Sequence, residues 1–146
     1  MTTPFADIDI LGILPQRDPF LFVDRLLHYD DGETVTAFTV PEGHLLVEDG
    51  KLTTSGVLEN MAQSSAARIG YLSKYILHIP VRVGYIGAIR KFRLHRQPAV
   101  GETLETKILL REDVFGISLV DAVVQVGDEI IAEGSLKTAL GEKEAE

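Results

Sequence analysis

The sequence predicts an α+β fold in which an antiparallel sheet of about six strands wraps around one long central helix. Three observations predict it. Only one stretch, Lys51 to Ile76, sustains a helical period; the segments on either side read as strands, two before it and four after it. One helix cannot supply the crossovers that parallel strands require, so the sheet must be antiparallel and must bury its apolar face against that helix.

The elements follow in order. Residues 7–14 suit a short helix or turn closed by Pro15, because the residue before a proline avoids the α region. FLFVDRLLHYD, 20–30, is a strand, Asp30-Asp31-Gly32 a turn, and ETVTAFTV, 33–40, a second strand with Val35, Ala37 and Thr39 on one face, which makes an antiparallel hairpin. Residues 41–52 break the pattern with Gly43, Glu48, Asp49 and Gly50, and this loop carries His44. After the helix come strands at 81–97, 102–114, 117–126 and 129–139, separated by Pro98 to Gly101, Phe115-Gly116 and Gly127-Asp128. Residues 1–141 form a single domain, and 142–146, EKEAE, a solvated charged tail.

At about 100° per residue, Leu58, Met61, Ala62, Ser65, Ile69 and Leu72 share a stripe of the helix that should be buried. A second stripe carries Glu59, Gln63, Ala66 and Gly70, whose small members let another backbone come close. Thr53, Thr54 and Ser55 offer hydroxyls where a helix start has unpaired N–H groups. The N–H groups around Gly56 and Val57 are candidates for polarising a carbonyl near Glu59, since helix N-termini favour developing negative charge. A glutamate near a helix start is equally common where no chemistry takes place, and small residues often mean close packing alone.

Composition excludes several classes. With no cysteine, there is no disulfide, thiolate metal site or cysteine nucleophile. Histidines at 28, 44, 78 and 95 lack metal-ligand spacing, so no metal is expected. No cofactor is expected either. A formal net charge of −8 argues against a nucleic-acid partner. The first residues lack a basic leader, and no apolar run reaches the roughly 18 residues a membrane span needs, which gives the expectation of a cytoplasmic protein with no membrane partner. Charge reverses locally in IRKFRLHR, 89–96, where Arg90, Lys91, Arg93 and Arg96 form a patch suited to an acidic partner, or simply a row of solvated strand charges.

Three segments carry a resemblance. LPQRDPFLFVDRLL, 14–27, resembles the LPHR-x-PFLLVDR opening of bacterial (3R)-hydroxyacyl-acyl carrier protein dehydratases. GVLENMAQSSAA, 56–67, is similar to their central-helix motif with its E-x-MAQ. YIGAIRKFRLHRQPAVGE, 85–102, is similar to their segment containing FRR and PGD. The chain looks close to a divergent branch found beside polyene and aryl-lipid synthesis machinery. The resemblance implies the hot-dog fold, a homodimer or higher homo-oligomer with each site between two subunits, and acyl carrier protein as the partner that presents the acyl chain on phosphopantetheine. The Arg90, Lys91, Arg93 and Arg96 patch would then meet the carrier protein's acidic surface.

By that resemblance the chemistry is removal of water from a 3-hydroxyacyl thioester in fatty acid, polyene or related lipid synthesis. Glu59 falls on the family's acid. His44 follows a glycine as the family's histidine base does and precedes Glu59 by 15 residues, although the Phe-Pro-Gly after that histidine is replaced by Leu45, Leu46 and Val47, and the LPHR histidine by Gln16. Gly56, Val57 and Gln63 are the candidate substrate contacts. Two alternatives remain open from the residues: a hot-dog acyl thioesterase that uses Glu59 without a loop histidine, and a non-catalytic hot-dog subunit that pairs with an active paralogue.

Overall fold

Strand pairing in the computed structural model, which describes residues 3–144, follows the expected order. The elements are β1 (Arg25–Tyr29), β2 (Glu33–Thr39), the short β3 (Val47–Glu48) and β4 (Lys51–Leu52), α1 (Thr54–Tyr71), β5 (Arg82–Leu94), β6 (Thr103–Val114), β7 (Ile117–Val126) and β8 (Glu129–Glu144). Six strands form one sheet in the order β1-β2-β6-β7-β8-β5, antiparallel throughout, and β3 pairs with β4 as a separate ribbon. This is the hot-dog fold.

Alternation along the strands places Leu104 and Ile108, Val120, Ala122 and Val124, and Ala132 and Leu136 inside, against Val57 and Met61 of α1, both 0 % exposed. Each fully buried valine, leucine, isoleucine or methionine side chain among them stabilises by about 1.5–3 kcal/mol. A second cluster covers the other side of the helix: Ile8, Ile10, Ile13 and Leu14 of the N-terminal segment, with Val23 and Leu26, pack on Ala67 and Tyr71. The small-residue stripe is what admits that segment, since a Cβ on Gly70 would stand 2.0 Å from the Ile13 carbonyl oxygen.

The structure departs from the predicted boundaries in four places, the first being the end of β5 at Leu94 and not at residue 97. The helix starts at Thr54, not Lys51, because Lys51 and Leu52 pair with Val47 and Glu48, and it closes in a π-turn over Leu72–Ile76. The first strand begins at Arg25, not at residue 20, because the backbone of residues 20–22 bonds to side chains of α1 instead of to a strand. The last strand continues to Glu144, where it still pairs with Arg82, so 142–144 of the expected tail are strand, while 145–146 lie outside the described residues. Here the partner strand, not side-chain patterning, sets the end.

Strand β5 is an edge: β8 lies on one side and no described strand on the other. At the β6–β7 turn, Phe115 and Gly116 both adopt positive φ, 54° and 75°, and the Phe115 ring is 99 % exposed.

Candidate active site

The helix start fixes the first part of the site. Thr53 caps it, its Oγ1 accepting from the Gly56 N–H at 3.3 Å while its carbonyl accepts from the Val57 N–H at 3.0 Å. Gly56 and Val57 are buried, and a Cβ on Gly56 would stand 2.4 Å from Leu52 Cδ1. Close packing on Leu52 therefore accounts for the glycine, and both N–H groups already have acceptors.

Glu59 follows in the second turn with its side chain exposed. Gln63, one turn on and buried, donates from Nε2 to Glu59 Oε2 at 3.3 Å and to the Phe20 carbonyl at 2.8 Å, while its Oε1 accepts from the Phe22 N–H at 2.7 Å. Asn60 completes the clamp: its Nδ2 donates to the Phe22 carbonyl at 2.7 Å, and its Oδ1 accepts from Thr106 Oγ1 at 2.6 Å. Two side-chain amides thus take the place of a neighbouring strand along residues 20–22. Because Phe22 offers an N–H, the Gln63 amide can have only one orientation, with its donor toward Glu59.

Glu59 and Gln63 line a cavity of about 180 Å³ between α1 and β5, together with Ala66, Tyr85, Ile86 and Gln16. Gln16 Oε1 is buried there without a hydrogen-bond partner among the described residues. From the sequence, Gln16 stands out only as a departure from LPHR; its place beside Glu59 comes from the chain path. Thr138, also on this wall, has a buried Oγ1 without a partner.

His44 does not line the cavity within one chain. Its ring packs edge-on against Phe22, centroids 4.8 Å apart, and its Nδ1 accepts from the Leu46 N–H at 3.2 Å. A neutral ring so bonded carries its proton on Nε2, which is buried and has no partner among the described residues. His44 thus packs on Phe22 itself, whereas Glu59 is linked to the same segment only through Gln63.

The basic segment divides. Arg96 is bound by Glu102 at 2.7 Å and Glu129 at 3.0 Å, and the guanidinium, followed by the Ala99 N–H, holds the Glu102 carboxyl below its usual value. Arg90 and Lys91 line a groove of about 620 Å³ on the outer face of the sheet with Arg111, Leu119 and Phe115. Arg93 is exposed and lies opposite Glu133 in the ladder. The groove is larger than the Glu59 cavity; of its two carboxylates, Asp121 is bonded to Arg111 and Ser135, and Glu112 is exposed at the open end of β6. His28, Asp30 and Glu33 have potential ligand atoms within 4.8 Å of one another. Their grouping is that of a turn, with Asp30 bonded to the His28 ring and to the Gly32 and Glu33 N–H groups.

Residues 8–146 match the model of the ApeP-like family, described as ApeP dehydratase. The chain is 36 % identical over 145 residues to the 3-hydroxyacyl-(acyl-carrier-protein) dehydratase FabZ of Desulforamulus reducens, covering 92 % of this chain and 96 % of that protein. It is 34 % identical over 151 residues to the protein of the same name from Variovorax paradoxus, covering 96 % and 97 %. Among solved structures, the dehydratase heterocomplex ApeI:P from Xenorhabdus doucetiae superposes with a TM-score of 0.85 at 20 % identity, covering 93 % of each chain.

Proposed function

Given that the chain belongs to the ApeP-like dehydratase family, we propose that it converts a (3R)-hydroxyacyl thioester carried by acyl carrier protein to the trans-2-enoyl thioester, with Glu59 as the acid. A proton leaves C2, the C3–O bond breaks, the hydroxyl departs as water after taking a proton from Glu59, and the electron pair of the C2–H bond becomes the new double bond. The observation that carries this reading is the placement of Glu59: one carboxylate, oriented by Gln63, on the wall of a cavity that also holds the unpartnered Gln16 oxygen.

His44 is the proposed base, contributed by a neighbouring subunit. Accepting a proton on Nε2 requires the neutral ring to carry its own on Nδ1, so the Leu46 contact must give way on assembly. The start of α1 acts on the thioester carbonyl through its dipole, because Thr53 holds the Gly56 and Val57 donors. The open edge of β5 favours addition of a second hot-dog subunit, a copy of this chain or a paralogue. Arg90, Lys91 and Arg93 remain available to steer an acidic carrier protein, whereas Arg96 is committed to its two carboxylates.

The test is turnover by Glu59→Gln, alone and with a paralogous subunit present. Formation of the enoyl thioester should fall by about a hundredfold or more while the melting temperature and the oligomer mass stay those of the wild type. Unchanged turnover removes Glu59 from the chemistry, and release of free acid by the wild type would favour a thioesterase.

A further inference from the structure

Two side chains on the wall of the Glu59 cavity have a buried oxygen without a hydrogen-bond partner among the described residues. Gln16 Oε1 is an acceptor only, and Thr138 Oγ1 is a hydroxyl that can donate and accept. Different elements hold them there. Gln16 follows Ile13 and Leu14, which are 1 % and 2 % exposed in the cluster that packs on α1. Arg17 then grips this part of the chain by donating to the carbonyls of Leu11, Leu14 and Gln16 itself. Thr138 stands on β8, opposite Ile86 of β5 and Ser118 of β7.

Packing of the N-terminal segment on α1 explains why residue 16 is at the cavity. It does not explain why a polar side chain ends there with its oxygen unpaired, since buried polar atoms are nearly always bonded and a methionine would fill the same space. A resident water would answer both oxygens. So would a hydroxyl carried in by a substrate, and the terminal torsion of a glutamine is soft enough for Oε1 to turn to it. A hydroxyl has two lone pairs and one hydrogen to satisfy. The wall offers two donors, the acid Glu59 and Thr138, and one acceptor, Gln16.

Resting on the dehydratase reading, we propose that Gln16, Thr138 and Glu59 form the site for the C3 hydroxyl of the substrate. Gln16 Oε1 accepts the hydroxyl hydrogen, and Thr138 Oγ1 donates to the oxygen beside the proton of Glu59. The set selects a hydroxyl over its neighbours in oxidation state. A 3-oxo group accepts from Glu59 and Thr138 but meets the Gln16 oxygen acceptor to acceptor, and a methylene leaves all three groups unpaired. The same set holds the departing water. Once the C3–O bond has broken and Glu59 has given up its proton, the water donates one hydrogen to Gln16 and the other to the Glu59 carboxylate, and accepts from Thr138.

The test measures calorimetric binding of three pantetheine amides of equal length, with a hydroxyl, an oxo group or no substituent at C3. Each is titrated into the assembled wild-type protein, Gln16→Met, Thr138→Val and Thr138→Ser, and turnover of the 3-hydroxyacyl thioester is followed in parallel. The hydroxyl ligand should bind the wild type about tenfold or more tightly than the other two. Gln16→Met should weaken the hydroxyl ligand alone, so that its ratio to the oxo ligand falls toward one. Thr138→Val should weaken the hydroxyl and oxo ligands together and spare the unsubstituted one, whereas Thr138→Ser should keep the wild-type order. A hydroxyl-to-oxo ratio near one in the wild type, as a resident water would give, or a ratio that survives Gln16→Met, overturns the proposal. Should Gln16→Met fail to fold, the two variants at residue 138 decide, and equal affinities of both for the hydroxyl ligand overturn it. Wild-type turnover by Gln16→Met and Thr138→Val defeats the hydroxyl site and leaves the reaction standing. A hydroxyl preference that depends on Gln16, with no enoyl product, defeats the reaction instead.

Discussion

Gln63 uses both ends of its amide, and every partner is at a place where loss is felt. Replacing it with leucine leaves the Phe22 N–H and the Phe20 carbonyl without their acceptor and donor, at about 1–3 kcal/mol for each group that stays buried. Glu59 loses its only described hydrogen-bond partner in the same step. Gln63→Leu should therefore lower the melting temperature and reduce kcat more than it raises KM, as thermal unfolding and steady-state kinetics would register. A fall in KM affinity alone would assign Gln63 to substrate contact. The four-residue spacing of Glu59 and Gln63 made their neighbourhood readable from the sequence. The acceptors at Phe20 and Phe22 were not, because a backbone atom has the same chemistry at every position and only the chain path selects it.

At the scale of elements, the helix and the six strands were legible because burial on one side imposes a period, and only one stretch has the helical one. Boundaries were less so. Side-chain amides of α1 displaced the start of β1, and a long partner in β5 carried β8 through a polar run that would not be a strand by composition. The stripe ending in Gly70 was read correctly as a path for another backbone, and the Ile13 carbonyl takes it. Gly70→Ala should then cost more than the usual overpacking range of about 1–3 kcal/mol, because the obstacle is backbone and cannot rotate away. Denaturant midpoints would show it; a variant as stable as the wild type would mean that the N-terminal segment is readily displaced from the helix.

Across the whole molecule, Arg96 ties together three pieces of one sheet end: the exit from β5, the entry to β6 through Glu102 and the start of β8 through Glu129. Glu102 titrates below its ordinary value of 4.5 when folded. A carboxyl depressed on folding stabilises the native state above its unfolded pKa, and that contribution is lost as pH falls through the lower, folded value. Glu102→Gln should therefore be less stable than the wild type at neutral pH, with the gap narrowing below about pH 4, as urea midpoints across that range would show. The basic run is legible in the sequence, but its division between ion pairs and open surface is not, since Glu102 and Glu129 reach Arg96 only through the sheet. The proposed pairing of His44 with a neighbouring subunit's Glu59 has no trace in the sequence, because an assembly of chains leaves none in the periodicity of one.

One residue runs against the folding of its own hairpin. Phe115 sits in a left-handed turn that disfavours side chains by about 1 kcal/mol, and its ring meets nothing but water. Asparagine tolerates that backbone and has no ring to hydrate, so Phe115→Asn should raise the melting temperature of the isolated protein. A position at which so simple a change improves thermal endurance marks the tip as somewhere self-stability has been ceded. Heat-tolerant derivatives of this protein can begin there, in the outer groove that Phe115 shares with Arg90 and Lys91 and apart from the Glu59 cavity.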